Sequence, residues 1–144
     1  MLHALLTAAL AVLTAASVSC APTPRQRVPA VSEKSSRTPA QQKINSEILY
    51  EIYRRQGRAS KLGIPPGPTP LRIDSKGRTL CDVRAEVTPA LRKSITALGA
   101  TIVSTSPADR SVIAWIPLLK IERLASHAAV RAIEPKAEAT LKLN

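Results

Sequence analysis

The chain has 144 residues, with 21 Lys or Arg against 10 Asp or Glu, which gives a net charge of +11. It contains two Cys, one Trp, two Tyr and no Phe. Two thiols exclude a disulfide-rich scaffold, and the shortage of aromatic residues excludes a core built on large rings. The positive charge is concentrated in segment 21–72, which is typical of a soluble charged linker or of an arm that contacts nucleic acid or an anionic surface.

Residues 1–21 are predicted to be a secretory signal peptide. This segment has no acidic residue and no Lys or Arg, and an apolar run is followed by small residues at Ser17, Ser19 and Ala21. It predicts a secreted, periplasmic or cell-envelope location, with a retained membrane anchor as the alternative. Cys20 follows small residues, so lipid anchoring through Cys20 is a further alternative. If Cys20 is removed with the signal, Cys81 is the only thiol left.

Segment 22–38 is rich in Pro, Ser, Thr, Arg, Lys and Gln, which predicts a disordered linker. Thr38 and Pro39 then provide an N-cap and a first helical residue. Ile44, Ile48 and Ile52 follow at helical spacing, so residues 39–56 are predicted to form one amphipathic helix. This helix lies outside the module described next, and either docks on it or contacts a partner.

Segment 57–72 contains four prolines and is predicted to be a stiff, extended linker. The simpler interpretation of this segment is a spacer. The more specific one is a proline-rich ligand that binds an aromatic groove of another protein. Residues 73–144 are then predicted to form a domain of about 70 residues, which buries only about 60% of its chain surface on folding.

Within residues 73–144 the apolar residues change period in the order β-α-β-β-α-β. A strand at 80–87 alternates small apolar residues with Asp82, Arg84 and Glu86. A helix at 89–98 is followed by strands at 101–105 and 111–116, a helix beginning at Pro117, and a strand at 130–133. This order predicts the α+β class and a ferredoxin-like fold, in which two helices cover one face of an antiparallel four-stranded sheet.

Catalytic chemistry is not predicted. His127 is the only His beyond the signal segment, and no Gly-x-Ser-x-Gly turn accompanies it. One His and one Cys do not make a metal site, and no glycine-rich phosphate loop is present. We therefore expect a protein that is not an enzyme and that has no cofactor or small-molecule substrate.

Four segments together resemble the N-terminal propeptide of secreted subtilisin-like serine proteases, whose inhibitor fold is this β-α-β-β-α-β unit. These segments are Thr88-Pro89-Ala90-Leu91-Arg92-Lys93, Ala97-Leu98-Gly99-Ala100, Ala114-Trp115-Ile116-Pro117-Leu118 and His127-Ala128-Ala129-Val130-Arg131-Ala132-Ile133-Glu134-Pro135. The resemblance covers about half the chain. It does not extend to the Asp, His and Ser motifs of the catalytic domain, so it implies binding to such a protease rather than proteolysis.

The resemblance implies that the sheet face without helices rests on the protease and that residues 136–144 enter its active-site cleft. Leu141 and Leu143 would occupy substrate pockets, next to the terminal Asn144. Relatives continue into a protease domain where this chain ends. A stand-alone inhibitor, a folding helper and a truncated precursor therefore all stay open.

The strand pattern places Arg84 and Glu86 beside Ile113 and Trp115 on the face without helices, where an aromatic side chain can anchor an interface. Together with Leu141, Leu143 and Asn144, these are the predicted partner-binding residues. RNA binding on this face is the weaker alternative, because Trp115 is its only aromatic residue and stacking needs more. A third alternative is an interaction or oligomerisation module of the cell envelope, with Trp115 buried against a second copy.

Overall fold

The computed structural model describes residues 33–136, which form an α+β domain with a four-stranded antiparallel sheet. The predicted class is therefore confirmed. The predicted signal peptide at 1–21 and the tail at 137–144 lie outside the described residues. The helices and strands are α1 (Pro39–Gln42), α2 (Ser46–Arg55), β1 (Arg78–Ala85), α3 (Pro89–Ala97), β2 (Thr101–Ser106), β3 (Ser111–Pro117), α4 (Ile121–Ala125) and β4 (Val130–Pro135).

The strands lie in the order β2-β3-β1-β4, and each neighbouring pair is antiparallel. Cys81, Val83 and Ala85 of β1 are fully buried in the core, as the predicted alternation requires. β1 ends at Ala85, so Glu86 lies just beyond the strand that was predicted to contain it. A register shift between Arg84 and Ala85 accompanies this end.

The first helix of the module begins and ends at the predicted signals. The Thr88 hydroxyl accepts a hydrogen bond from the Leu91 N–H at 3.1 Å, and Pro89 is the first helical residue. Gly99, with φ +83°, supplies the left-handed conformation just after the helix. The second helix differs from the prediction, because Pro117 still belongs to β3 and a 3₁₀ turn at Leu118–Lys120 precedes α4.

Helix α2 packs on the module and belongs to its core. Ile48, Leu49 and Ile52 have no exposed surface and join one buried cluster with the sheet and with Leu91 and Ile95 of α3. Of the two options that the amphipathic stripe left open, docking on the module is the one realised. Three helices therefore contribute to the core on this side of the sheet, where the sequence predicted two.

The predicted single helix at 39–56 is interrupted at Ile44, which forms a parallel bridge with Ile133 of β4. The Asn45 N–H donates to the Ile133 carbonyl at 2.9 Å, and the Ile133 N–H donates to the Lys43 carbonyl at 2.8 Å. The Asn45 side chain then caps α2 by accepting from the Glu47 N–H. This short stretch pairs with the outer edge of β4 at Ile133, whose N–H and carbonyl would otherwise be unpaired strand groups.

Both predicted linkers contain residues that pack. In segment 22–38, the Glu33 carboxylate forms two hydrogen bonds with the Arg37 guanidinium, at 2.7 and 2.9 Å, and both side chains are largely buried. In segment 57–72, Ile64 and Leu71 are buried in the core cluster, and the residues between them are mainly exposed. Residues 33–38 are thus not disordered, and the proline-rich segment is a loop held at both ends, not a free spacer.

Cys81 is buried in β1, and burial raises the pKa of its thiol to about 12, with a smaller contribution from the Asp82 carboxylate. We expect the folded protein to react with a thiol reagent at about pH 8 at least ~100-fold more slowly than the unfolded protein. A Cys20→Ser background makes this measurement specific. Because folding favours the neutral thiol, this contribution to stability is complete below pH 9.0 and is lost as pH rises toward about 12. Equal rates in both states would contradict a buried thiol.

Candidate protein-interaction surface

The second face of the sheet carries no helix among residues 33–136, because α2, α3 and α4 all contribute to the core on the opposite side. Side chains that alternate with the core residues point to this second face. We call it the open face and define it by the central residues of β1 and β3. These residues are Leu80, Asp82, Arg84, Ile113 and Trp115.

The apolar part of the open face consists of Leu80, Ile113 and Trp115. Leu80 lies directly opposite Trp115 in the pairing of β1 with β3, and Ile113 lies opposite Asp82. Leu80 is 7% exposed, whereas Ile113 and Trp115 are half-buried. Trp115 is therefore supported by Leu80 on one strand and still presents part of its ring to solvent. A supported, partly exposed aromatic side chain is suited to anchoring a protein contact.

The polar part of the open face centres on Asp82, which is only 5% exposed. The Ser111 hydroxyl donates to its Oδ1 at 2.6 Å, and Arg84 Nη2 lies 3.1 Å from its Oδ2. A buried carboxylate needs such partners to offset its lost hydration. Arg84 Nη1 also approaches the Asp109 carbonyl at 3.5 Å. We call the depression around these groups the Asp82 notch. It encloses about 360 Å³ and is lined by Asp82, Arg84, Ser104, Ser106, Asp109, Ser111, Ile113 and Lys136.

Arg78 closes the other end of the open face. Its Nε donates to Asp74 Oδ2 at 2.8 Å, and its Nη1 donates to the Thr101 hydroxyl at 2.9 Å. Because β3 lies between β1 and β2, the second bond passes over β3 close to Trp115. The pKa of Asp74 is lowered, mainly because the Arg78 backbone N–H donates to its carboxylate. This arrangement limits how far the end of the sheet can rearrange.

The structure brings three of the predicted partner-binding residues together and separates one. Arg84, Ile113 and Trp115 lie on the open face. Glu86 is exposed beyond the end of β1, where its backbone N–H donates to the Ala129 carbonyl. The remaining three, Leu141, Leu143 and Asn144, lie outside the described residues.

Sequence reasoning missed Leu80 and Ser111 as parts of this surface. Leu80 precedes Cys81 in β1, and strand alternation alone could have placed it on the open face. Ser111 faces Arg84 in the strand pairing and bonds to Asp82, two residues along the same face. No signal in the sequence indicated this hydrogen bond, because it depends on the register between β1 and β3.

Among residues 33–136, no His lines the notch that contains the Ser111–Asp82 pair. His127 lies between α4 and β4 in a groove with Ser94, Leu98 and Arg123, on the helical side of the sheet. Its Nδ1 accepts a hydrogen bond from the Ala129 N–H at 3.2 Å. Residues 33–136 contain no cluster of His, Cys, Asp and Glu suited to a metal ion. No helix in that range is long and apolar enough to cross a membrane.

Comparison of the chain with protein-family models, with curated proteins and with solved structures gives no match.

Proposed function

We propose that this chain is a secreted, non-catalytic, propeptide-like module that binds a subtilisin-like serine protease through the open face and inhibits it or assists its folding. The observation that carries the proposal is the asymmetry of the sheet. One face is buried under three helices, and the other presents Ile113 and Trp115 next to the charged Asp82 notch. A face of this kind, apolar at its centre and polar at its rim, resembles the anatomy of protein interfaces.

The positions of the segments that resemble the propeptide family support the proposal. Thr88-Pro89 caps α3, and Gly99 follows the end of that helix. The Trp115 segment forms the end of β3, and the last segment contains β4. The strand order β2-β3-β1-β4 with antiparallel pairing is compatible with the ferredoxin-like arrangement. Each quoted segment therefore corresponds to a helix boundary or a strand of the described domain.

The place where the chain leaves the sheet also supports the proposal. β4 ends at Pro135, and the Lys136 N–H donates to the Leu80 carbonyl at 2.9 Å. Lys136 lines the Asp82 notch. In the proposed complex, residues 136–144 continue from this point into the active-site cleft of the protease held against the open face. Leu141 and Leu143 then offer apolar side chains to substrate pockets.

Inhibition of a subtilisin-type protease by the purified chain tests this function. We expect slow, tight inhibition. Association is slow where part of the chain must become ordered on binding, and dissociation is slow where a large apolar face is buried in the complex. Hydrogen exchange of the β1 and β3 backbone amides should be slower in the complex than in the free chain. Rapid digestion without inhibition would contradict the proposal.

A stable dimer in sedimentation experiments, with Trp115 protected in the free chain, would instead favour the oligomerisation alternative. A variant with Arg92→Glu and Lys93→Glu, both exposed on α3, is the control for net charge. Its inhibition and its sedimentation should match those of the unchanged chain if neither result depends on the overall positive charge.

A further inference from the structure

A second concave surface lies at the C-terminal end of α2 and is formed by residues that precede β1 in the chain. It encloses about 410 Å³. Its lining residues all precede β1, so this groove shares none of them with the open face. We call it the α2 groove, and it is lined by Arg54, Gly57, Ala59, Ser60, Ile64 and residues 65–67.

The α2 groove is held in shape by backbone hydrogen bonds and a buried anchor. Gly57, with φ +68°, turns the chain after α2. The Ile64 N–H donates to the Ala59 carbonyl at 3.0 Å, and Ile64 is 6% exposed in the core cluster. Pro65 and Pro66 then form one wall with fixed φ angles. The groove is thus preorganised, which reduces the entropy lost on binding.

The chain that forms the α2 groove is rich in basic residues, and one of them, Arg54, lines the groove. Segment 52–71 contains four Lys or Arg and no Asp or Glu. Glu51, just before it, is shared by two arginines, at 3.0 Å from Arg55 Nε and 3.4 Å from Arg54 Nη1. Within the described range, no carboxylate forms an ion pair with Arg58 or Lys61. The local charge is therefore compensated only in part.

Two arginines lie in this groove or next to it in the chain. Arg54 lines the groove, and its side chain is 24% exposed, with Nη1 at 3.4 Å from Glu51 Oε2. Arg58 lies between the lining residues Gly57 and Ala59. The Arg58 guanidinium lies 5.0 Å from the centre of the Tyr53 ring, and its Nη1 donates to the Gln56 side-chain oxygen at 3.2 Å. Stacking on Tyr53 orients the guanidinium without neutralising it.

We propose that the α2 groove binds an acidic peptide segment of a protein partner. One apolar side chain of the segment packs between Ile64 and the proline wall, and neighbouring carboxylates pair with Arg54 and Arg58. The chemistry favours a peptide over a membrane surface, because the apolar residues form a concave wall and do not project from the protein. This inference goes beyond the proposed protease binding, which uses the open face.

Binding of a defined peptide to the full chain tests the proposal. The probe is a capped nine-residue peptide with one central Leu flanked by Asp and Glu, and its control carries Asn and Gln at the same places. We expect the acidic peptide to shift the NMR amide signals of residues 54–67 and to bind at least ~10-fold more tightly than the control. Raising the salt concentration should weaken binding, because Arg58 and Lys61 are exposed and their charges are therefore screened by salt. Equal binding of the two peptides would overturn the proposal.

Charge reversal of Arg58 and Lys61 separates a specific site from general attraction. Arg58→Glu with Lys61→Glu should weaken peptide binding at least ~10-fold, whereas Arg92→Glu with Lys93→Glu should change it less than ~3-fold. Both pairs are exposed, and each changes the net charge equally. Arg58→Gln with Lys61→Gln repeats the test with milder substitutions should the first variant unfold. If the Arg58/Lys61 and Arg92/Lys93 variants lose the same amount of peptide affinity, only the net charge matters and the proposal is overturned.

Two further outcomes are decisive. Stronger binding to vesicles containing phosphatidylserine, with signal shifts at the same residues 54–67, would assign the groove to a lipid surface and overturn the peptide proposal. Trp115→Ala should leave peptide binding unchanged, because Trp115 lies on the open face. A failure of the α2 groove proposal is therefore distinguishable from a failure of the proposed protease binding.

Discussion

Replacement of Ile48 by Ala is expected to lower the free energy of unfolding of the whole domain by about 2–5 kcal/mol. Ile48 of α2 has no exposed surface and belongs to the same buried cluster as Val83, Val112 and Ile133 of the sheet. The substitution removes three carbon atoms and leaves a cavity that close-packed neighbours fill only in part. For a domain of this size the loss is a large part of the total stability.

Chemical denaturation followed by both far-UV circular dichroism and Trp115 fluorescence measures this effect. We expect the two signals to change together, since α2 and the sheet share one core. Leu119→Ala is the matched control, because Leu119 is 56% exposed, and it should cost less than ~1 kcal/mol. Ile48→Val should fall between them, at about 0.5–1.5 kcal/mol. Loss of helical signal with an unchanged fluorescence transition would show that α2 is an appendage, contrary to the structure.

The order of strands and helices in residues 73–136 could be predicted because its signals are local. Thr88, Pro89 and Gly99 mark the limits of α3 by their own capping chemistry and backbone preferences. Alternation in β1 identifies the core side of the sheet. These signals need no knowledge of distant residues, and the structure contains each of them.

The role of the segment before residue 73 could not be predicted, because it depends on long-range contacts. The stripe of Ile48 and Ile52 shows that one helix face is apolar, but not which surface it covers. The break between α1 and α2 follows from the pairing of Ile44 with Ile133, 89 positions apart in the chain numbering. Similarly, Ile64 and Leu71 fill spaces at the edge of the core that the sequence does not define.

The open face could be predicted only in part, because some of its features also depend on long-range contacts. Alternation places Arg84, Ile113 and Trp115 on one face, and this placement survives small errors in strand limits. It does not show that Asp82 is buried, since burial depends on Ser111 and on the Asp109 loop next to it. Nor does it reveal the shift in the pairing of β1 with β4 that precedes Glu86.

For the proposed complex with a subtilisin-type protease, Trp115→Ala is expected to weaken binding by about 30-fold or more, which corresponds to about 2 kcal/mol. The Trp115 ring is supported by Leu80 from the neighbouring strand and is half-buried in the free chain. A partner that covers the open face would bury the rest of the ring and exclude water from it. Loss of a large aromatic side chain at the centre of an interface is among the most costly interface changes.

Titration calorimetry of each variant with an inactivated protease measures this effect without digestion of the chain. Trp115→Phe should retain most of the affinity because it keeps an aromatic ring against Leu80, and Leu119→Ala should be neutral because Leu119 follows β3 on the helical connection. Denaturation of the free variants must show that Trp115→Ala is still folded, since part of the ring packs within the chain. A folded Trp115→Ala variant with unchanged affinity would remove Trp115 from the interface. Because Ile113 is the other half-buried apolar side chain of the open face, that result would also count against this face as the protease contact.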